Sequence, residues 1–320
     1  MQRALSPKNM KSSPSSKSTS AKSTKATKEQ ANKQLLQSAT ETAAHLLFAL
    51  AALVSIAAVV LICVFLAANG IPALKEIGVL KFISGDTWRP ANNQFGILPM
   101  ITASLYVTAG AIIIGVPPGI LTAIFLSRFA KARTTKIFLP AIELLAGIPS
   151  VVYGFFGLVV VVPAIRAIFP TSRGGFSILA ASLILGIMIL PTIITVSKAA
   201  LDAVPDAYYE GSLALGATHE RSVFCATTPA AASGIMASVV LGVGRAIGET
   251  MAVAMVIGNQ SVIPTSVIDG ARTMTGNIVL EMGYAADLHR GALIATAVVL
   301  FVFILAINVS FNLLKMGRKS

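Results

Sequence analysis

Three ionisable residues stand inside stretches that are otherwise apolar: Glu143, Arg245 and Glu249. On insertion scales a charge at the bilayer centre costs about 2.5–3.5 kcal/mol, so each is expected to face a protein interior or a water-filled path. Arg245 and Glu249 are four residues apart, which on a continuous helix puts them on one face and lets them pair. That spacing permits two readings. One is a buried ion pair that joins helices. The other is an anion path, in which Arg245 lowers the energy of the anion in transit and a carboxylate accepts a hydrogen bond from it. Glu143 is either a second partner for Arg245 or a residue near the cytoplasmic interface, close to the start of its own apolar run.

The anion reading carries a selectivity argument. Phosphate near neutral pH still has a proton to donate, whereas sulfate has none. A carboxylate beside the path therefore leaves sulfate with an unrelieved like-charge contact. Catalytic signatures are missing: no GxxxxGK[ST] phosphate loop, no HExxH and no GxSxG occurs, so no catalytic residue and no ATP hydrolysis by this chain is expected. His45, His219 and His289 have no metal-ligand spacing and read as interfacial or loop residues; Cys63 and Cys225 form no CxxC. Neither a metal, a cofactor nor a disulfide is expected. The glycines of GVGRAIGE suit close helix contact better than nucleotide binding. Gly244 and Gly248 form a GxxxG pair of that kind, as do Gly115 and Gly119.

The elements that must position these residues are membrane spans. With 320 residues, 55% hydrophobic and 12% charged side chains and a mean hydropathy of +0.80, the chain reads as an all-α integral membrane protein. The net charge of +12 does not point to nucleic acid, because eight Lys and Arg lie in the first 33 residues and most others flank apolar runs. Residues 1–40, rich in Ser, Thr, Lys and Ala, are expected to form a disordered basic cytoplasmic tail able to lie against anionic lipid. Six spans follow, at 43–68, 95–126, 137–164, 176–196, 230–258 and 291–314. The second is expected to kink or break near Pro117 and Pro118, and Pro149 to end or bend a helix in the third. Residues 69–94 and 259–290 read as external polar segments, with Trp88 at headgroup level, and 315–320 as a basic cytoplasmic end. With both termini inside, 17 of the 25 Lys and Arg fall inside and 7 outside, which satisfies the positive-inside rule.

Residues 198–229 stay polar between two apolar runs while keeping helical spacings at Leu201, Val204, Tyr208, Leu213 and Leu215. Gly211 and Gly216 are candidate turns, so a two-helix cytoplasmic elbow is expected, with a plain solvated connector as the alternative. Glu210, Gly211 and Ser212, then Gly216, then nine residues and Ala226 to Pro229 resemble the EAA loop of ABC importer permeases. Glu210, Gly216 and Pro229 fit that pattern in register, whereas Gly211, Ser212, Ala226 and Thr228 depart from it. ELLAGIPSVVYGFFGL, from Glu143, and GVGRAIGETMAVAMVIGN, from Gly242, resemble PstC-type permease subunits of bacterial phosphate importers over about residues 95–314.

The resemblance implies a type I ABC importer permease core at 95–314, preceded by a first span and loop at 41–94. It implies a cytoplasmic coupling helix at 198–229 in which Glu210, Gly211, Ser212, Leu213, Leu215 and Gly216 meet the ATPase. It also implies partners: a PstA-type permease in a heterodimer, a dimer of ATPase subunits, and a periplasmic or lipid-anchored phosphate-binding protein. The alternatives are a PstA-type subunit, a permease for another oxyanion, and an ion-coupled carrier using Glu143, Arg245 and Glu249 as a relay. A membrane-embedded enzyme is disfavoured by the missing nucleophile and base.

Overall fold

The computed structural model describes residues 17–170 and 174–317; the first 16 residues of the basic tail, residues 171–173 and the last three residues lie outside them. The chain divides into two units between Val64 and Phe65. Helix α1, Lys17–Ile77, supplies all of the first unit that is described and runs on into the second. From Lys17 onward the stretch expected to be disordered is therefore helical. Its Lys, Ala, Gln and Glu are good helix formers, and an adjoining apolar span removes the cost of nucleation. The first span also continues past residue 68, through Asn69 and Pro72. Asn69 Nδ2 donates to Phe65 O at 2.8 Å.

In the second unit the axis is α7, Ile178–Asp202. Its membrane window is 67% buried, against 28–33% for the other spans of this unit, so α7 is the helix the others enclose. Ser177 caps its start by accepting from Ala180 N at 3.1 Å. Helix α3, Leu98–Ile124, lies parallel to α7 at close range. A Cβ on Gly115 would sit 2.7 Å from Gly186 O, and one on Gly119 would sit 2.8 Å from the Ile193 side chain. This GxxxG pair does serve close packing. The break expected at Pro117 and Pro118 is absent: α3 runs unbroken through both, held by its neighbour, before a π-turn at Phe125–Phe129. Ser182 Oγ donates to Val107 O at 3.3 Å and adds a polar link between the two helices.

The third and fifth spans are assembled from pieces. Helix α4, Ala132–Gly147, ends before Pro149, and the apolar run Ser150–Ile168 contains α5 (Ser150–Phe156), a π-turn at Gly157–Val161 and α6 (Val162–Ile168). Past α7, α8 (Asp206–Ala214) and α9 (His219–Ser222) form the elbow. A π-turn at Val223–Thr227 and α10, Thr228–Ala230, then lead to a 69° bend into α11, Ala232–Gly248. A break at Glu249 and Thr250 separates α11 from α12, Met251–Val256. Helix α14, Asp287–Gly317, is the last span. Among the described residues, five helices are long and apolar enough to cross a membrane, and six when the bent pair counts as one. The chain is a helical, multi-pass membrane protein.

At the end of α7 opposite the elbow, the segment expected to be merely polar and external is folded. Helix α13, Met274–Glu281, packs there with a two-stranded antiparallel hairpin, β1 (Trp88–Arg89) and β2 (Gln94–Phe95). Trp88 is 5% exposed among Phe82, Phe95 and Met100. It is a core residue of this cap, not a headgroup anchor, because a carboxylate on α13 satisfies its indole N–H.

Two substitutions separate glycines used by this fold from those it leaves open. Gly115→Val overpacks the α3–α7 contact and is expected to destabilise the purified subunit by about 1–3 kcal/mol. Gly244→Ala meets nothing within 4 Å and is expected to leave its thermal unfolding midpoint unchanged.

Candidate functional site

The two apolar runs that carry the intramembrane charges are both interrupted, and the halves after the interruptions pack together. A Cβ on Gly154 in α5 would sit 2.9 Å from Ala252 Cα and 2.7 Å from Met255 Sδ of α12. Tyr153 spans the first break by donating its hydroxyl to Leu145 O at 2.8 Å.

Glu249 does not share a helical face with Arg245. The helix ends at Gly248, and Glu249 is extended, with φ −69° and ψ 132°. Its Oε1 accepts from Ala252 N at 3.2 Å, so the carboxylate caps α12. Its carbonyl accepts from Thr275 Oγ1 at 3.2 Å. The ion pairs formed among the described residues do not include Arg245, Glu249 or Glu143. Arg245 is half-buried at the end of α11, and Glu143 is exposed on α4. Neither half of the expected Arg245 pairing is present. The face around them is open: a Cβ on Gly147, Gly244 or Gly248 would meet nothing within 4 Å. The Gly244/Gly248 pair therefore makes no close helix contact within this chain.

The elbow forms as two short helices. Gly216, at φ +86°, turns the chain in a region that L side chains rarely adopt. Gly216 N donates to Leu213 O and Ala217 N to Ser212 O, closing α8. Thr218 caps α9 by accepting from Arg221 N at 3.4 Å. Gly211, expected as a turn, lies inside α8. Val204 and Leu201 anchor the elbow in a small apolar core. In contrast, no residue of α8 is buried and Leu215 is 91% exposed. Glu210, Gly211 and Leu213 are exposed and Ser212 is half-buried.

A third constellation has no signal in the sequence. Glu281, 6% exposed, accepts Trp88 Nε1 at 2.9 Å, Arg272 Nη1 at 2.6 Å and a bond with His289 Nε2 at 2.8 Å. Arg272 also donates to Asn277 Oδ1 and Asn259 O. His289 is thus a specifically bonded residue rather than a loop histidine, and the same holds for His219, whose Nδ1 is 2.7 Å from Tyr209 Oη. These partners are up to 193 residues apart, beyond the reach of any local spacing rule.

Residues 115–318 match the family described as binding-protein-dependent transport system inner membrane component. The chain belongs to this family. A probable ABC transporter permease protein, YqgH of Bacillus subtilis, is 41% identical over 287 residues, covering 87% of this chain and 91% of the relative. The phosphate transport system permease protein PstC of Mesorhizobium japonicum is 35% identical over 260 residues, covering 75% and 79%. The PstC of Xylella fastidiosa strain 9a5c is 33% identical over 271 residues, covering 78% and 83%. In fold, the chain is similar to one from the inward-facing MetNI methionine ABC transporter, with a TM-score of 0.51 at 20% identity, covering 69% of this chain and 94% of that one. An all-α ABC importer permease fold is thereby established. A permease of this family works with a binding protein and an ATPase and is not itself the catalytic subunit.

Glu281→Ala leaves one half-buried cation and two further donors without this acceptor, and is expected to cost the permease about 1–3 kcal/mol in thermal or denaturant unfolding. Trp88→Phe removes a single neutral donor and is expected to cost about 1 kcal/mol.

Proposed function

We propose that this chain is one of the two permease subunits of an ATP-driven importer of inorganic phosphate. In this reading it lies in the bacterial plasma (inner) membrane with both termini in the cytoplasm. Its partners are a PstA-type permease, a dimer of ATPase subunits gripping the elbow, and a phosphate-binding protein on the outside. Likeness to PstC proteins over three quarters of the chain supports the substrate. The observation that carries the mechanism is that Arg245 has no carboxylate partner among the described residues and stands near a helix break beside glycines with open space around them.

Lipid is a poor cover for that face, because an exposed Glu143 and a half-buried Arg245 at membrane depth both require polar surroundings. A second permease closed over the open glycines Gly147, Gly244 and Gly248 supplies the other wall, and the space between the two subunits is the path. Arg245 is then free to offer its guanidinium to a phosphate oxygen. The Glu249 carboxylate has one oxygen committed to the α12 cap and a second left to accept the proton that phosphate carries. Glu143 adds a second carboxylate to the path. On the elbow, Leu213, Leu215 and Gly216, with Glu210, Gly211 and Ser212, dock in a groove of the ATPase. Closure of the ATPases rocks the two bundles between outward and inward access.

Two measurements test this. In vesicles containing the full complex, Arg245→Gln is expected to lower phosphate transport about ten- to hundredfold, the worth of one hydrogen bond to a charged group, with assembly intact. Parent-rate transport by that variant would remove Arg245 from the path. Leu215→Asp is expected to abolish the stimulation of ATP hydrolysis by loaded binding protein, and a membrane-impermeant thiol reagent is expected to reach exposed Cys225 only from the cytoplasmic side. Labelling of Cys225 from outside overturns the topology.

A further inference from the structure

The elbow is tied back to the end of α3 by a cluster that no docking residue belongs to. The π-turns Phe125–Phe129 and Val223–Thr227 meet there, with Phe129 of the first against Phe224 of the second at 6.3 Å between ring centroids. His219, at the start of α9, stands edge-on to Phe129 at 4.7 Å and edge-on to Tyr209 of α8 at 5.7 Å. The Tyr209 hydroxyl and His219 Nδ1 are hydrogen-bonded at 2.7 Å. In the same π-turn, Arg128 donates to Leu201 O at 2.7 Å and faces Asp206 of α8 at 3.6 Å, while Ser127 Oγ donates to Asp202 Oδ1 at 2.6 Å.

We infer that Phe129, His219 and Tyr209 form the joint that transmits movement of the elbow to α3. The elbow has two connections to the bundle along the chain. Its entry runs through the Pro205 turn from α7, and its exit runs through a π-turn and a 69° bend into α11. Both pass through non-α backbone that yields to a push. Laterally, Val204 and Val223 share a small apolar core with Ala123 and Ile124 of α3, and Tyr209 packs against it. The Phe129–His219–Tyr209 contact extends that lateral attachment to both elbow helices. It joins both elbow helices to a helix that is close-packed along α7 through Gly115 and Gly119, so a displacement of α8 moves α3 and α7 together. Packed rings and one short hydrogen bond transmit displacement where a solvated connector would not. Arg128 and Asp206 add an ion pair, but the Asp206 side chain is 80% exposed and screened by water, which makes it a guide rather than the joint. These are positioning residues: none of them touches substrate or nucleotide in this reading.

The inference rests on the elbow being the ATPase-docking element, and its test keeps the two apart. In the complete complex with its ATPase subunits, second permease and phosphate-loaded binding protein, the ratio of phosphate transported to ATP hydrolysed is measured for Phe129→Ala, Phe129→Tyr and Tyr209→Phe. A disulfide cross-link from a cysteine at position 215 to the ATPase is measured in each. The expected result is a ratio lowered about fivefold in Phe129→Ala and Tyr209→Phe, restored in Phe129→Tyr, with the cross-link undiminished throughout. Tyr209→Phe removes one oxygen and keeps the ring, so it decides the matter even where Phe129→Ala does not assemble. A parent ratio in Tyr209→Phe with the cross-link present overturns the joint and leaves docking intact. Absence of the cross-link in the otherwise unaltered protein overturns docking itself, and the joint with it.

Discussion

Hydrocarbon offers no hydrogen-bond partner, so every backbone group and every charge at membrane depth has to be satisfied by protein or by water that protein admits. Most of this chain obeys by being helical, and α7 obeys most fully by being enclosed. The rule bends at two places, the breaks after Gly147 and after Gly248. There backbone leaves the helix, a tyrosine hydroxyl and a glutamate cap the loose ends, and an arginine is left with no counter-charge. In the proposed reading, a second permease subunit completes that open face.

Completion also explains the two kinds of glycine. Gly115 and Gly119 are spent inside the chain, where each lets α3 approach α7 to a distance that a side chain would forbid. Gly147, Gly244 and Gly248 have the same composition and open space around them. In the proposed reading they face the second permease. The same division holds between Leu201, sealed in the elbow's small core, and Leu215, turned almost wholly outward.

The cap at the far end of α7 serves a different need. A buried carboxylate is costly unless its lone pairs are filled, and Glu281 fills them from β1, from the segment before α13 and from α14 at once. One residue thereby adds a polar link among three elements that also share an apolar core. The elbow end achieves its order by other means: a left-handed glycine, a threonine cap and a cluster of rings around His219.

Composition and hydropathy by themselves determined that the chain crosses a membrane, roughly where its six runs lie, and that a polar stretch separates two of them at 198–229, because apolar length is a local property; they left an elbow and a solvated connector both open there. The short motifs around Glu143, Glu210 and Arg245 led as far as the permease family. Tertiary structure alone decided what those residues do to one another. The four-residue spacing of Arg245 and Glu249 implied a pair only on the premise of a continuous helix, and the backbone between them is not helical. Two adjacent prolines implied a kink or break in α3, and the helix, packed against α7, is continuous through them. Trp88, Glu281 and His289 carry no common signal along the chain, since a contact between residues 193 positions apart is a property of the fold and not of any window of sequence.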